Sequence, residues 1–138
     1  MLTLKFYILT IFLSYLSYID IRTRKIPNKV VATLLCLAFV FIPFEPNWLS
    51  YIIGLFLPGF IFLIISIIGG HFIGSGDIKI IICLGGFLGT SQALSITILA
   101  CIVCLSCSIF LKLFRIKQNT LPFCPFLLIS FLIVHIIL

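Results

Sequence analysis

The chain has 138 residues, of which 63% are hydrophobic and only 9% are charged, and its mean hydropathy is +1.42. Soluble globular domains carry about 25% charged residues, so this composition excludes such a domain. The formal net charge of +6 would suit a nucleic-acid-binding protein, but the positions of the basic residues indicate membrane topology, and no nucleic acid is expected as a partner.

Six apolar segments are predicted as membrane helices. They span about 2–19, 30–43, 49–70, 78–90, 92–113 and 121–138. A spanning helix needs about 20 residues, so six of them use nearly the whole chain. The sequence therefore predicts an all-α polytopic membrane protein, a single domain over residues 1–138 with about six transmembrane helices in one compact bundle.

The first segment ends at Asp20, one of only three carboxylates in the chain. Ionisable residues in membrane segments cost about 2.5–3.5 kcal/mol on insertion scales, which makes them functional candidates. Arg22 and Arg24 follow, so an interfacial ion pair is the structural alternative. Further on, Pro27 should stop any helix and Asn28 can cap the next one.

The fourth segment opens with the sequence Gly74-Ser75-Gly76-Asp77. Two glycines remove side chains directly before the carboxylate, so the backbone there can turn sharply or approach another peptide closely. A flexible loop between helices is the structural alternative. Lys79 follows and is expected to pair with lipid phosphate or with a carboxylate.

The last segment opens with Pro122-Phe123-Cys124-Pro125. Proline is tolerated in the first turn of a helix, so helix initiation is the structural interpretation. Two prolines three residues apart would also stiffen this entrance and could form a wall of a peptide groove.

All nine basic residues except Lys5 lie in or beside three gaps between the segments. These gaps are residues 20–29, 71–77 and 114–120, and two predicted crossings separate each gap from the next. The positive-inside rule therefore places all three at the cytoplasmic face and both termini outside. Asp20, Asp77 and the proline motif would then converge on one membrane face. Glu45, in a proline-flanked loop, is expected to be an ordinary surface residue.

No metal or other cofactor is expected. Cys101, Cys104 and Cys107 share roughly one helical face, but their segment contains no His, Asp or Glu to complete a metal site. Buried cysteine usually serves as a small apolar side chain. His71 and His135 are expected to be uninvolved in chemistry.

Taken in order, the motifs resemble those of the prepilin peptidases, membrane aspartyl proteases of the Gly-x-Gly-Asp type. Asp20-x-Arg22 with Ile26-Pro27-Asn28 is similar to the first catalytic motif, Gly74 to Lys79 to the second, and Pro122 to Phe126 to a C-terminal Pro-Phe-x-Pro motif. The resemblance implies that Asp20 and Asp77 form the catalytic dyad. It also implies motif or substrate-groove roles for Arg22, Pro27, Asn28, Gly74, Ser75, Gly76, Lys79, Pro122 and Pro125.

The implied activity is removal of the leader from type IV-like prepilins, membrane substrates in the same lipid bilayer, at the cytoplasmic face. Many bacterial members carry an additional cytoplasmic segment near the N-terminus, with Cys-x-x-Cys pairs, that is associated with N-methylation. Nothing like that segment is found here, so methyltransferase activity is not expected. The short form is similar to the peptidases of tight-adherence pili or to archaeal preflagellin peptidases. Helix dipoles favour Asp77 as the general base. Homo-oligomerisation is left open.

A small proton- or cation-coupled transporter subunit is the alternative from another functional class. It predicts carboxylates near the middle of the membrane and polar residues on several helices, whereas these segments contain few polar groups apart from Ser and Thr. A non-catalytic assembly factor with the same fold is a further alternative, although the presence of both aspartates argues against it.

Overall fold

The computed structural model describes residues 2–68, 74–114 and 121–137. In these segments the chain forms six α-helices in the order α1 (Leu2–Thr23), α2 (Asn28–Phe41), α3 (Trp48–Ile68), α4 (Ser75–Leu88), α5 (Thr90–Leu113) and α6 (Cys124–Ile137). A 3-10 turn, Ile42–Phe44, follows α2. The predicted all-α class is confirmed. The predictions made for His71 and for the basic residues of the last gap, Arg115 and Lys117, concern residues outside this description.

Long and short helices alternate along the chain. Among the described residues, three spans are long and apolar enough to cross a membrane, namely Leu4–Thr23, Trp48–Ile68 and Thr90–Leu113. The other three helices have 14 residues each. At a rise of 1.5 Å per residue they are about 21 Å long, shorter than the hydrocarbon core of about 30 Å. By length and composition, this is a membrane protein with three full-length candidate spans.

The chain divides into two compact units. One unit comprises Met1–Arg24 together with Ser95–Leu138, and the other comprises Lys25–Leu94. The organisation as a single domain over residues 1–138 stays a prediction.

In the first unit, α1 and α6 pack antiparallel along one buried stripe from each helix. On α1 this stripe consists of Leu9, Leu13 and Leu16, each fully buried, and it ends at Asp20. The spacing of four, three and four residues keeps all of these side chains on one helical face. At the opposite end of α1, the Phe6 ring lies 5.3 Å from the ring of Phe131. Asp20 therefore terminates the apolar stripe that holds the two helices together.

In the second unit, α4 packs against both α2 and α3. The backbones of α3 and α4 meet at two glycines, because a Cβ built on Gly85 would lie only 1.7 Å from the carbonyl oxygen of Gly54. Gly59 on α3 likewise lies against Ile82 of α4. Gly54, Gly59 and Gly85 therefore allow α3 and α4 to pack closely.

A single glycine connects α4 to α5. Gly89 has a φ of +81°, a left-handed conformation that side-chain-bearing residues rarely adopt. The hydroxyl of Thr90 donates a hydrogen bond to the Ser50 carbonyl at 2.6 Å. This hydrogen bond links the turn to the start of α3. Glu45 lies at the same end of the second unit, and its carboxylate accepts a hydrogen bond from the Tyr51 hydroxyl at 3.1 Å.

Candidate active site

Asp20 lies in the last turn of α1 and is 6% exposed. Its Oδ2 accepts a hydrogen bond from the backbone N–H of Cys124 at 3.1 Å. Cys124 is the first residue of α6, where backbone amides have no acceptor within the helix. A carboxylate at this position satisfies such an amide and is favoured by the helix dipole. The start of α6 therefore holds Asp20 in place.

The proline motif leaves a single amide available for this contact. Pro125 has no N–H, while the N–H groups of Phe126 and Leu127 both donate to the Phe123 carbonyl, at 3.1 and 3.2 Å. Among residues 124–127, only the Cys124 amide is directed away from its own helix. Sequence reasoning predicted helix initiation here but missed this link to Asp20.

Arg22 and Arg24 follow Asp20 at the exposed end of α1. The guanidinium of Arg22 lies 5.0 Å from the centre of the Tyr18 ring, at cation–π distance. Arg24 has a φ of +52°, and its N–H donates to the Asp20 carbonyl at 2.9 Å. This left-handed residue ends the helix three positions before Pro27.

Asp77 lies in the first turn of α4, and the residue that caps this helix is Gly74. The Asp77 N–H donates to the Gly74 carbonyl at 3.0 Å. A Cβ built on Gly74 would lie 3.0 Å from Asp77 Oδ2, so the carboxylate folds back over the start of its own helix. The missing side chain of Gly74 leaves space for it. Ser75 stands exposed between them.

The tail of the first motif packs on the second motif within the Lys25–Leu94 unit. A Cβ on Gly76 would lie 2.8 Å from Ile26 Cδ1, so the close approach that Gly76 permits is to Ile26. The ammonium of Lys79 donates to Asn28 Oδ1 at 2.8 Å, a contact that the sequence did not predict. The prediction that Asn28 caps α2 was wrong. The N-cap residue of α2 is Pro27, which makes no side-chain hydrogen bond to the helix.

The family model described as the type IV leader peptidase family matches residues 7–109. This protein belongs to the type IV leader peptidase family. The resemblance drawn from the motifs is thereby confirmed, and the general function is that of a prepilin-type leader peptidase. Comparison with the curated proteins and with the solved structures gave no match.

The matched range of the leader peptidase family contains Asp20, Asp77 and the residues around them, but it ends before Pro122. The link between the proline motif and Asp20 therefore rests on the hydrogen bond from Cys124 to Asp20. His135 lies far from that bond, with its ring 3.8 Å from that of Phe6 near the opposite end of α1. The pairing of Asp20 with Asp77 stays a prediction.

Proposed function

We propose that this protein is an aspartyl endopeptidase that removes the N-terminal leader from type IV-like prepilins at the cytoplasmic membrane face. Asp20 and Asp77 would be its two catalytic residues. The observation that carries the proposal is that the family match spans both aspartates, which are two of the three carboxylates in the chain. The hydrogen bond from Cys124 to Asp20, and the space that Gly74 leaves for Asp77, give further support.

The proposed reaction uses the two carboxyl groups in complementary states. Two carboxyl groups within hydrogen-bond reach share one proton, because both cannot ionise at low cost. The ionised partner takes a proton from a water molecule, whose oxygen attacks the scissile carbonyl. The protonated partner donates a hydrogen bond to the developing oxyanion. When the C–N bond breaks, a proton passes to the leaving amine, so that one water is consumed for each peptide bond cleaved.

The proposed substrate is a single membrane helix with a polar N-terminal leader. A carboxylate at the end of a membrane helix is suited to cutting a peptide bond just outside the hydrocarbon core. A prepilin presents such a bond, between a short leader that ends in glycine and an apolar helix. The basic residues at this face would not attract a basic leader, which is why we assign them to topology.

Co-expression with a type IV-like prepilin tests this function, with the gel mobility of the prepilin as readout. We expect the wild-type enzyme to remove the leader, and Asp20→Asn and Asp77→Asn each to abolish removal, since an amide cannot exchange the proton. Glu45→Gln is the matched control, because it changes the remaining carboxylate, which bonds to Tyr51 at the other end of its unit. It should process the prepilin at the wild-type rate.

Equal amounts of each variant in the membrane fraction are required for this comparison. Leader removal by both Asp→Asn variants would contradict an aspartyl mechanism and favour the transporter or assembly-factor interpretations. Loss of processing in Glu45→Gln as well would show that the assay reports folding and not the dyad.

A further inference from the structure

A pocket of about 250 Å³ lies between α2 and α4, within the Lys25–Leu94 unit. Its lining consists of Asn28, Val31, Ala32, Leu35, Lys79 and Ile82. The four α2 residues occupy positions i, i+3, i+4 and i+7, so they share one face of the helix. Four of the six lining residues are aliphatic, and the two polar residues are hydrogen-bonded to each other.

The pocket is polar at one end and aliphatic along the rest of its length. Lys79 and Asn28 are both exposed and lie near the starts of their helices, which run in the same direction from this end. From Asn28 to Leu35 the wall advances by about 10 Å at the helical rise. Ala32 has the smallest side chain in the lining, and its size helps to keep the space between the two helices open.

The polar end offers hydrogen-bond donors to an anion. An ammonium has three N–H groups, and the bond to Asn28 Oδ1 uses one of those of Lys79. The Asn28 amide nitrogen adds two more donors. Asp77 is two residues before Lys79, about 200° around the helix, and is not among the lining residues. Lys25 and Lys29 are exposed at the same end, so the local charge is positive.

We propose that this pocket binds an anionic phospholipid, with the phosphate at Lys79 and Asn28 and an acyl chain along Val31, Ala32 and Leu35. Basic pockets between membrane helices suit such headgroups, and juxtamembrane lysines attract anionic lipid. The acyl chain accounts for the aliphatic walls, which a free phosphate would leave uncovered. This site is additional to the proposed peptidase function and does not depend on it.

Native mass spectrometry of the full-length protein in detergent tests the proposal. Phosphatidylglycerol and phosphatidylcholine with identical acyl chains would be titrated in parallel. We expect phosphatidylglycerol to bind more tightly than phosphatidylcholine. In Lys79→Met the ratio of the two dissociation constants should fall by about fivefold, because one lysine near an anionic headgroup contributes about that much to binding. Ala32→Leu fills the aliphatic end and should weaken the binding of both lipids. Ala32 is exposed, so the larger side chain is compatible with folding.

Two control variants separate the pocket from its surroundings. Lys29→Met removes an exposed lysine of the same end, and Thr33→Leu adds bulk at an exposed position beside Ala32; neither residue lines the pocket. Both variants should keep the preference for phosphatidylglycerol, and far-UV circular dichroism should show unchanged helix content in all four variants.

Several results would overturn the proposal. Equal binding of the two lipids would show that the site does not recognise an anionic headgroup. Equal effects of Lys29→Met and Lys79→Met would show that diffuse surface charge, and not the pocket, attracts the lipid. No effect of Ala32→Leu, together with competition by glycerol phosphate, would indicate a free phosphate site. Because no prepilin enters the assay, a negative result here would leave the proposed peptidase function untouched.

Discussion

At the scale of single residues, the two candidate catalytic carboxylates depend on different backbone features. Asp20 is nearly buried, and the backbone N–H of Cys124 on α6 fixes its orientation by donating one hydrogen bond to its carboxylate. Asp77 lies over the start of its own helix, where a bare glycine leaves room for it. Each feature is a property of the backbone, so each can be removed without changing the aspartate itself.

Cys124→Pro removes the N–H that donates the hydrogen bond to Asp20. Proline is well tolerated in the first turn of a helix, so α6 should still form. Hydrogen bonds to charged groups contribute about 1.5–3 kcal/mol, and we expect leader removal to slow by about 10- to 100-fold. Cys124→Ala is the matched control, because it removes the thiol but keeps the amide, and it should retain most of the activity. Initial rates with purified enzyme in detergent provide the measurement. Equal rates in the two variants would show that the hydrogen bond is unimportant for activity.

Gly74→Ala places a methyl group 3.0 Å from the present position of Asp77 Oδ2. The backbone at Gly74, with φ of −63° and ψ of 133°, is accessible to alanine, so the carboxylate should move and not the helix. A displacement of about 1 Å can cost about 100-fold in rate, and that is the loss we expect. The midpoint of thermal unfolding should stay close to wild type. A large drop in that midpoint with unchanged activity would contradict this account.

At the scale of helices, the contact between α3 and α4 depends on the absence of side chains at two kinds of position. At Gly85 the neighbouring group is the Gly54 backbone, whereas at Gly59 it is the side chain of Ile82, 2.2 Å from a built Cβ. The first contact cannot be relieved by any substitution on the facing helix. The second can, because Ile82→Ala removes the atoms that would clash.

We therefore predict that Gly85→Ala and Gly59→Ala both destabilise the protein, by about 1–3 kcal/mol or more, the usual cost of overpacking. Adding Ile82→Ala should rescue Gly59→Ala and should not rescue Gly85→Ala. Thermal unfolding followed by size-exclusion chromatography in detergent would compare the single and double variants. Rescue of both glycine variants by Ile82→Ala would show that the helices separate as a whole, contrary to a backbone contact at Gly85.

Local signals predicted the helices better than they predicted the contacts between them. Apolar segments and flanking glycines and prolines act within a few residues, so six helices and the entrance at Gly74 were predictable. The bond from Cys124 to Asp20 joins residues 104 positions apart, and the bond from Lys79 to Asn28 joins residues 51 apart. Both arise from helix docking. Arg24 was unpredictable for another reason, because arginine has no preference for the left-handed conformation in which it ends α1.

At the scale of the whole molecule, the alternation of long and short helices accompanies a strong asymmetry of charge. The helices with full membrane length are α1, α3 and α5, and each is followed by a shorter helix. Every basic residue except Lys5 lies in or beside the gaps that follow these long helices. If each long and each short helix crosses once, the positive-inside rule sets one orientation for the entire chain.

This orientation places both termini outside and the basic gaps in the cytoplasm, and reporter fusions can measure it. We predict that alkaline phosphatase fused after Leu138 is active, since that enzyme requires export, and that green fluorescent protein fused there is dark. The same reporters fused after Lys117 should give the opposite pattern, because α6 is then missing and the junction stays among the basic residues. A fluorescent fusion after Leu138 would mean that one of the short helices does not cross. The carboxylates Asp20 and Asp77 would then require separate mapping, by labelling single cysteines introduced beside each of them.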